Sequence, residues 1–250
     1  MAEGWGRPAL RLTGRSGKVD PLLELWQRIH YCGCVDLTDS LSAVIPSVDG
    51  RVLSVLARSG LPVTGLQAAT LAGASPERVR QILRRLAGDG LVSTQRAGSA
   101  VLYKANRDHL LWPAIDRLVH DADQAIWMLK GRVSTAIDDA LDPADAPRVT
   151  AALFGSVARG DAGPSSDVDV LLITPDDVAG PDVEKVIEVV IDAVQKATGN
   201  ECNVFAVTRS RLDELVASED PMVPSWTADA DVFHGPDFRH RLRGDPWDAQ

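Results

Sequence analysis

The stretch Val149–Asp169 constrains the fold more than any other part of the chain. An apolar run, VTAALF, stops at Gly155, and the small-residue turn GSVARGD follows. Ten residues separate Ser156 from Asp167, and Asp167–Val168–Asp169 opens a second apolar run, Val168–Ile173. Short continuous apolar runs bounded by glycine read as buried strands. Two of them, joined through a glycine turn that starts a helix, imply a sheet covered by helices. Alternate side chains of a strand share a face, so Asp167 and Asp169 point the same way. Two carboxylates on one face suit Mg²⁺, which can in turn hold a triphosphate. Gly155 lets the backbone approach a phosphate, and the amides after it favour anions.

Charge divides the chain into two parts. The 250 residues are formally −9, which taken alone argues against nucleic acid as a partner. Yet Arg51–Arg107 holds nine cations (Arg51, Arg58, Arg78, Arg80, Arg84, Arg85, Arg96, Lys104 and Arg107) against Glu77 and Asp89, a net +7. Pro113–Gln250 holds 12 cations and 26 acids, a net −14. Such asymmetry points to separate partners for the two parts.

The basic part reads as three helices and a hairpin. Arg51–Arg58 has helical apolar spacing, and Gly60 with Pro62 stops it. Thr64 can cap Gly65–Leu71, and Ser75 with Pro76 opens a further helix. There Val79, Ile82, Leu83 and Leu86 make one buried stripe. Arg78, Gln81 and Arg85 flank it on one side and Arg80 and Arg84 on the other, a wet, basic surface suited to a major groove. Leu91–Arg96 and Ala100–Ala105 alternate as a hairpin that carries Arg96 and Lys104. Helix, helix, helix, hairpin is winged-helix order, so double-stranded DNA is the expected partner, with a protein-contact winged helix as the alternative. The motif LTGLQAATLAGASPERVRQILRRLAGDGLVS within residues 48–107 resembles winged-helix transcription regulators of bacteria.

Between the parts, Ile115, Leu118, Val119, Ala122, Ile126, Leu129 and Val133 keep helical spacing toward Leu141, with Trp112 and Trp127 expected as apolar anchors. Such linking helices either form a homodimer seam or pack on their own domain. In the acidic part the pattern Gly155–Ser156, a ten-residue interval and Asp167–Val168–Asp169 resembles the DNA polymerase β-like nucleotidyltransferase superfamily, in particular its minimal nucleotidyltransferase group, over about residues 148–207. The resemblance implies that Asp167 and Asp169 hold Mg²⁺. It further implies that Gly155 and Ser156 cradle the nucleoside triphosphate, with Ser166 at the end of the loop. Arg159 either helps hold phosphate or forms a salt bridge with Asp161. Catalysing members of that superfamily place a third carboxylate on a later strand. Here that strand is Glu201–Val207, with Asn203 at the expected position and Glu201 two residues earlier on the same face. Its apolar residues are expected in the core.

The fold class expected is therefore α/β (α+β) in two domains: an N-terminal winged helix-turn-helix and a C-terminal polymerase β-like nucleotidyltransferase with a mixed sheet and flanking helices. The divisions are an extension at 1–47, expected to be partly mobile, the winged helix at 48–107, linking helices at 108–147, the nucleotidyltransferase at 148–235 and a tail at 236–250. The catalytic candidates are Asp167, Asp169, Glu201 and Asn203. The nucleotide-binding candidates are Gly155, Ser156, Arg159 and Ser166. The DNA-binding candidates are Arg78, Arg80, Gln81, Arg84, Arg85, Arg96 and Lys104. The expected activity is Mg²⁺-dependent transfer of a nucleoside monophosphate, AMP from ATP, to a protein or nucleic-acid acceptor. Some minimal nucleotidyltransferases are antitoxins that adenylylate a partner toxin. The alternative is a silent domain that senses nucleotide and adjusts DNA binding, and an RNA-modifying enzyme ranks third. No apolar run reaches the roughly 18 residues of a membrane helix, three cysteines make no disulfide framework, and a cytoplasmic setting is expected. His30, Cys32 and Cys34 have metal-ligand chemistry but no fourth ligand. No histidine is seen to pair with a serine or cysteine nucleophile. Trp226 and Phe233 are expected to pack the C-terminal segment onto the core.

Overall fold

The computed structural model describes residues 35–243 and 247, all within one compact unit. The His30–Cys34 group and the N-terminal cations lie outside the described residues. Two sheets and nine α-helices are found among them.

The first sheet belongs to the basic part. Helix α1 (Val48–Arg58) is followed by β1 (Val63–Thr64), α2 (Gly65–Leu71), α3 (Pro76–Gly88), β2 (Val92–Ala97) and β3 (Ala100–Ala105). The strands lie in the order β1-β3-β2, all antiparallel. Both start signals act as their residue types require. Thr64 and Gln67 form a reciprocal capping box on α2, and the Ser75 hydroxyl accepts from the Arg78 amide on α3. Val79, Ile82, Leu83 and Leu86 are all buried, against Val52, Leu56 and Tyr103.

The linking stretch divides between two cores. Helix α4 (Trp112–Asp123) buries Trp112 completely and leans Ile115 on the core of the basic part. The chain breaks at Gln124, and α5 (Ala125–Ala140) turns Leu129, Val133 and Ile137 onto the second sheet. Trp127 is no anchor: it is 71% exposed, because it lies two residues off that buried stripe. Val35 and Leu37 also belong to this second core, while Ser40–Ala43 lies against α4 and α1. Leu37 is buried there, and the Val35 amide donates to the Thr198 carbonyl.

The second sheet contains β4 (Thr150–Phe154), β5 (Val168–Thr174), β6 (Cys202–Thr208) and β7 (Asp231–His234), in the order β6-β5-β4-β7. β4 runs antiparallel to β5 and β7, and β5 runs parallel to β6. Period-2 alternation sends Ala151, Leu153, Val170 and Leu172 toward α5 and α7 (Gly180–Thr198), where Val186, Val190 and Val194 are fully buried. It sends Ala152, Phe154, Leu171 and Ile173 toward α8 (Arg209–Ala217) and α9 (Met222–Asp229), which supply Leu212 and Trp226. Trp226 and Phe233 pack as expected, but β7 itself has no clear sequence signal: four residues of mixed polarity form it only because β4 offers them an edge. β6 departs from expectation too. It is an edge strand, and Phe205 is 39% exposed instead of lying in the core.

Candidate functional site

The site is built where β4 ends and β5 and β6 begin. Asp169 has the same parity as Leu171 and Ile173, so it lies on the face covered by α8 and α9, at the open end of the sheet. The register sets Asn203 directly opposite Asp169 on the neighbouring strand. The Asn203 amide nitrogen donates to Asp169 Oδ1 at 3.0 Å and to Asp167 Oδ2 at 3.3 Å. Asp167, Asp169 and Asn203 therefore converge, while Glu201 contributes its backbone carbonyl to the Val168 amide at 2.8 Å and leaves its residue exposed. Burial pushes the Asp169 carboxyl above the usual carboxylate range; the Asn203 hydrogen bond opposes this and the neighbouring Asp167 charge adds to it.

Two carboxylates and one amide form an oxygen-rich donor set that fits a hard divalent cation. Turning the Asn203 amide over exchanges the donating nitrogen for its carbonyl oxygen. Among the described residues no cluster of three or more His, Cys, Asp or Glu suits a metal, because the third group here is an amide.

Gly155 has a role that spacing alone does not disclose. Its φ is +72°, and an added Cβ would lie 2.6 Å from Asp169 Oδ2. The space the missing side chain leaves is filled by the Asp169 carboxylate, so the glycine is needed to seat that acid. Gly155→Ala should therefore cost about 1–3 kcal/mol for the backbone conformation alone, plus displacement of Asp169. Gly160 makes the control, with φ +75° and nothing within 4 Å of the added atom. In thermal melts Gly155→Ala should lose clearly more than Gly160→Ala; equal losses would count against this packing.

The other nucleotide-binding candidates are placed as follows. Ser156 is half-buried in the five-residue helix α6 (Gly155–Arg159). The Arg159 guanidinium is held by Asp229 at 2.7 Å and Asp161 at 3.2 Å. The Ser166 hydroxyl closes a turn by accepting from the Gly163 amide at 2.9 Å. Sequence reasoning passed over Asn200, which is 1% exposed. Its amide donates to the Ser166 carbonyl at 2.9 Å and the Val35 carbonyl at 3.1 Å, and its oxygen accepts from the Val35 amide at 3.0 Å. It fixes the loop that ends at Asp167. Gly199–Asn200 signals only a turn in sequence.

Beside the acids, Phe154, Phe205 and Trp226 meet edge to face, with ring centroids 5.7–6.5 Å apart. A serine–histidine pair, not anticipated, lies elsewhere: Ser134 Oγ is 2.8 Å from His234 Nδ1. The other ring nitrogen is occupied by the Ala146 carbonyl at 2.9 Å, so neither is free for base catalysis and the pair ties β7 to α5.

On the basic part, Gln81 and Arg84 point away from the buried stripe of α3 and are exposed. Arg80 is exposed as well and pairs with Glu77 at 2.8 Å. Arg78 and Arg85 turn back toward Asp49 of α1, at 3.7 and 2.5 Å. Arg96 and Lys104 stand exposed on the β2–β3 hairpin. The surface that faces outward without an acidic partner among the described residues is thus Gln81, Arg84, Arg96 and Lys104. Exposed pairs of the Arg80–Glu77 kind contribute about 0.2–1 kcal/mol and yield readily to a phosphate.

Comparison with known proteins bears on the second sheet. Residues 138–218, about a third of the chain, match the family model described as the nucleotidyltransferase domain. Curated proteins give no match. Among solved structures, human N-acetylserotonin methyltransferase in complex with SAM is similar at 14% identity over 51% of this chain and 37% of that one, with a TM-score of 0.25. The chain thus spans little more than a third of that methyltransferase. TrmBL2, an archaeal chromatin protein described with a novel mode of DNA binding, is similar at 17% identity over 73% of this chain and 75% of that one, with a TM-score of 0.26. Neither structural likeness carries weight for fold or function. No helix of the described residues is long and apolar enough to cross a membrane. The part of the chain that holds Asp167, Asp169 and Asn203 is similar to a nucleotidyltransferase domain.

Proposed function

We propose that this chain is a DNA-binding regulator joined to a nucleotidyltransferase that moves a nucleoside monophosphate, AMP from ATP, onto a protein or nucleic-acid acceptor, in the manner of an antitoxin acting on a partner toxin. The convergence of Asp167, Asp169 and Asn203 on one sheet face carries this reading. Asp167 and Asp169 would hold Mg²⁺, and its positive charge would offset the negative charge that develops in transfer. The acceptor hydroxyl oxygen bonds to the α-phosphorus, the bond from that phosphorus to the β-bridging oxygen breaks, and pyrophosphate leaves. Asn203 has no basic atom, so the hydroxyl proton passes to a carboxylate of the pair or to solvent. Incubation with labelled ATP and Mg²⁺ tests the activity. Label on an acceptor supports it; none on any acceptor, including a protein encoded beside this one, counts against it.

A second reading rests on the same amide. Asn203 supplies no third negative charge, which suits a domain that holds nucleotide without turning it over and changes DNA affinity instead. Unchanged DNA affinity at saturating ATP or GTP would exclude it.

For DNA, the outward set Gln81, Arg84, Arg96 and Lys104 supports recognition by α3 with phosphate contacts from the hairpin. Replacing Arg84 and Lys104 together by alanine should weaken binding and make the slope of log K against log[salt] shallower by about 2, since each lost phosphate contact contributes roughly 0.9. An unchanged slope in a salt titration would place the DNA elsewhere.

A further inference from the structure

The two edges of the second sheet are treated very differently. β7 is short, its pairing with β4 shifts register between Ala151 and Ala152, and Lys130 and Ser134 of α5 hold Asp231 and His234. These are the usual protections of an edge strand. Among the described residues β6 shows none of them. Its sequence, CNVFAVT, contains no charge and no proline, and all seven residues stay in register with β5. Asn203, Phe205 and Ala206 are exposed.

The backbone directions on this edge follow from one hydrogen bond. The Val168 amide donates to the Glu201 carbonyl while Val168 pairs with Cys202. In a parallel ladder this turns the N–H and C=O groups of Glu201, Asn203, Phe205 and Val207 toward β5. Those of Cys202, Val204 and Ala206 then face outward. No backbone group of these three residues bonds to another element among the described residues.

We propose that a second copy of this chain pairs antiparallel with β6 about a twofold axis through Val204. This is the register in which the three outward residues satisfy one another: Val204 meets the partner's Val204, and Cys202 meets the partner's Ala206. The side chains that come together are uncharged, so no repulsion opposes self-association. The same register sets Asn203 opposite the partner's Phe205 in a non-hydrogen-bonded pair, where Cβ atoms lie about 4.5–5.5 Å apart on one face. That face is the one carrying Asp167 and Asp169. The partner's aromatic ring therefore walls the candidate site of each chain, and the half-exposed Phe205 ring gains cover. The seam lies on the sheet edge and not along the linking helices. This association is independent of whether the site turns over nucleotide.

Sedimentation equilibrium of the full chain tests it, with a mass of twice 26.8 kDa expected. Ala206→Lys and Ala206→Pro each alter an outward position without removing a bond to β5, and both should halve the mass while keeping the parent's far-ultraviolet circular dichroism spectrum. A single-chain mass at the highest soluble concentration overturns the proposal, as does a dimer that neither variant disturbs. The axis is tested by oxidation of Val204→Cys in a chain whose Cys32, Cys34 and Cys202 are serine. Strand residues paired across a twofold axis lie about 5.5 Å apart at Cα, within disulfide range. Cross-linking at 204 supports the register; cross-linking from Phe205→Cys and not from Val204→Cys overturns it.

Discussion

Asp167→Ala with Asp169→Ala is expected to lower the proposed Mg²⁺-dependent nucleotide transfer by about 10³-fold or more. Loss of one preorganised electrostatic contact typically costs about 10²–10³-fold, and both carboxylates on this face are removed at once. The fold should survive, and the sign of the pH effect follows from Asp169. Its carboxyl is pushed above the usual range in the folded chain, first by burial. A group with a raised folded pKa contributes stability that is present at low pH and lost as pH rises through that value. Near neutrality, without metal, the ionised Asp169 is thus a cost, and the double variant should melt no lower than the parent. With Mg²⁺ and ATP the order reverses: the parent gains stability by mass action and the variant does not. The parent's gain should also shrink as pH falls through the carboxylate range, because the ligand must be deprotonated to bind metal. Transfer retained by the double variant would remove the proposed site. Equal stabilisation of both proteins by Mg²⁺ and ATP would place the metal elsewhere.

Asn203→Asp is expected to act in the opposite direction. The amide now lies 3.0 Å from Asp169 and 3.3 Å from Asp167 and donates to both. An aspartate there replaces an attractive contact by repulsion among three carboxylates. The metal-free variant should therefore be less stable than the parent above the carboxylate range and should recover as pH falls. In Mg²⁺ the third carboxylate becomes an additional ligand and a general base beside the acceptor hydroxyl. General-base assistance is commonly worth about 10²–10⁴-fold, so transfer by this variant should exceed that of the parent by at least about 10²-fold. A variant that gains metal affinity but no rate would favour the nucleotide-sensing reading. A variant that gains neither would show that Asn203 does not face the metal.

Several features of both cores were legible because they rest on local physics. Period-3.6 spacing marked Val79, Ile82, Leu83 and Leu86, and the caps Thr64 and Ser75 opened the helices where such residues usually do. The apolar runs on either side of the GSVARGD turn became adjacent antiparallel strands. Trp127 departs from expectation because hydrophobic character does not reveal which side of a helix meets the core; Leu129, Val133 and Ile137 take that side. Phe205 departs from expectation because an edge strand and a central strand share one apolar pattern, and only strand order separates them.

The sequence by itself determined that two carboxylates share a strand face, that a glycine stands before a short helix, and that a basic helix presents arginine outward. These follow from chirality, pleat and helical pitch, which act over a few residues. The tertiary structure alone decided the rest. It brought Asn203, and not Glu201, onto the acids, because parallel register between β5 and β6 fixes which residue stands opposite Asp169. It made Gly155 the seat of a carboxylate, turned Arg78 and Arg85 toward Asp49, and set β6 at the end of the strand order. Each of these outcomes depends on contact between segments distant along the chain, which local spacing does not encode.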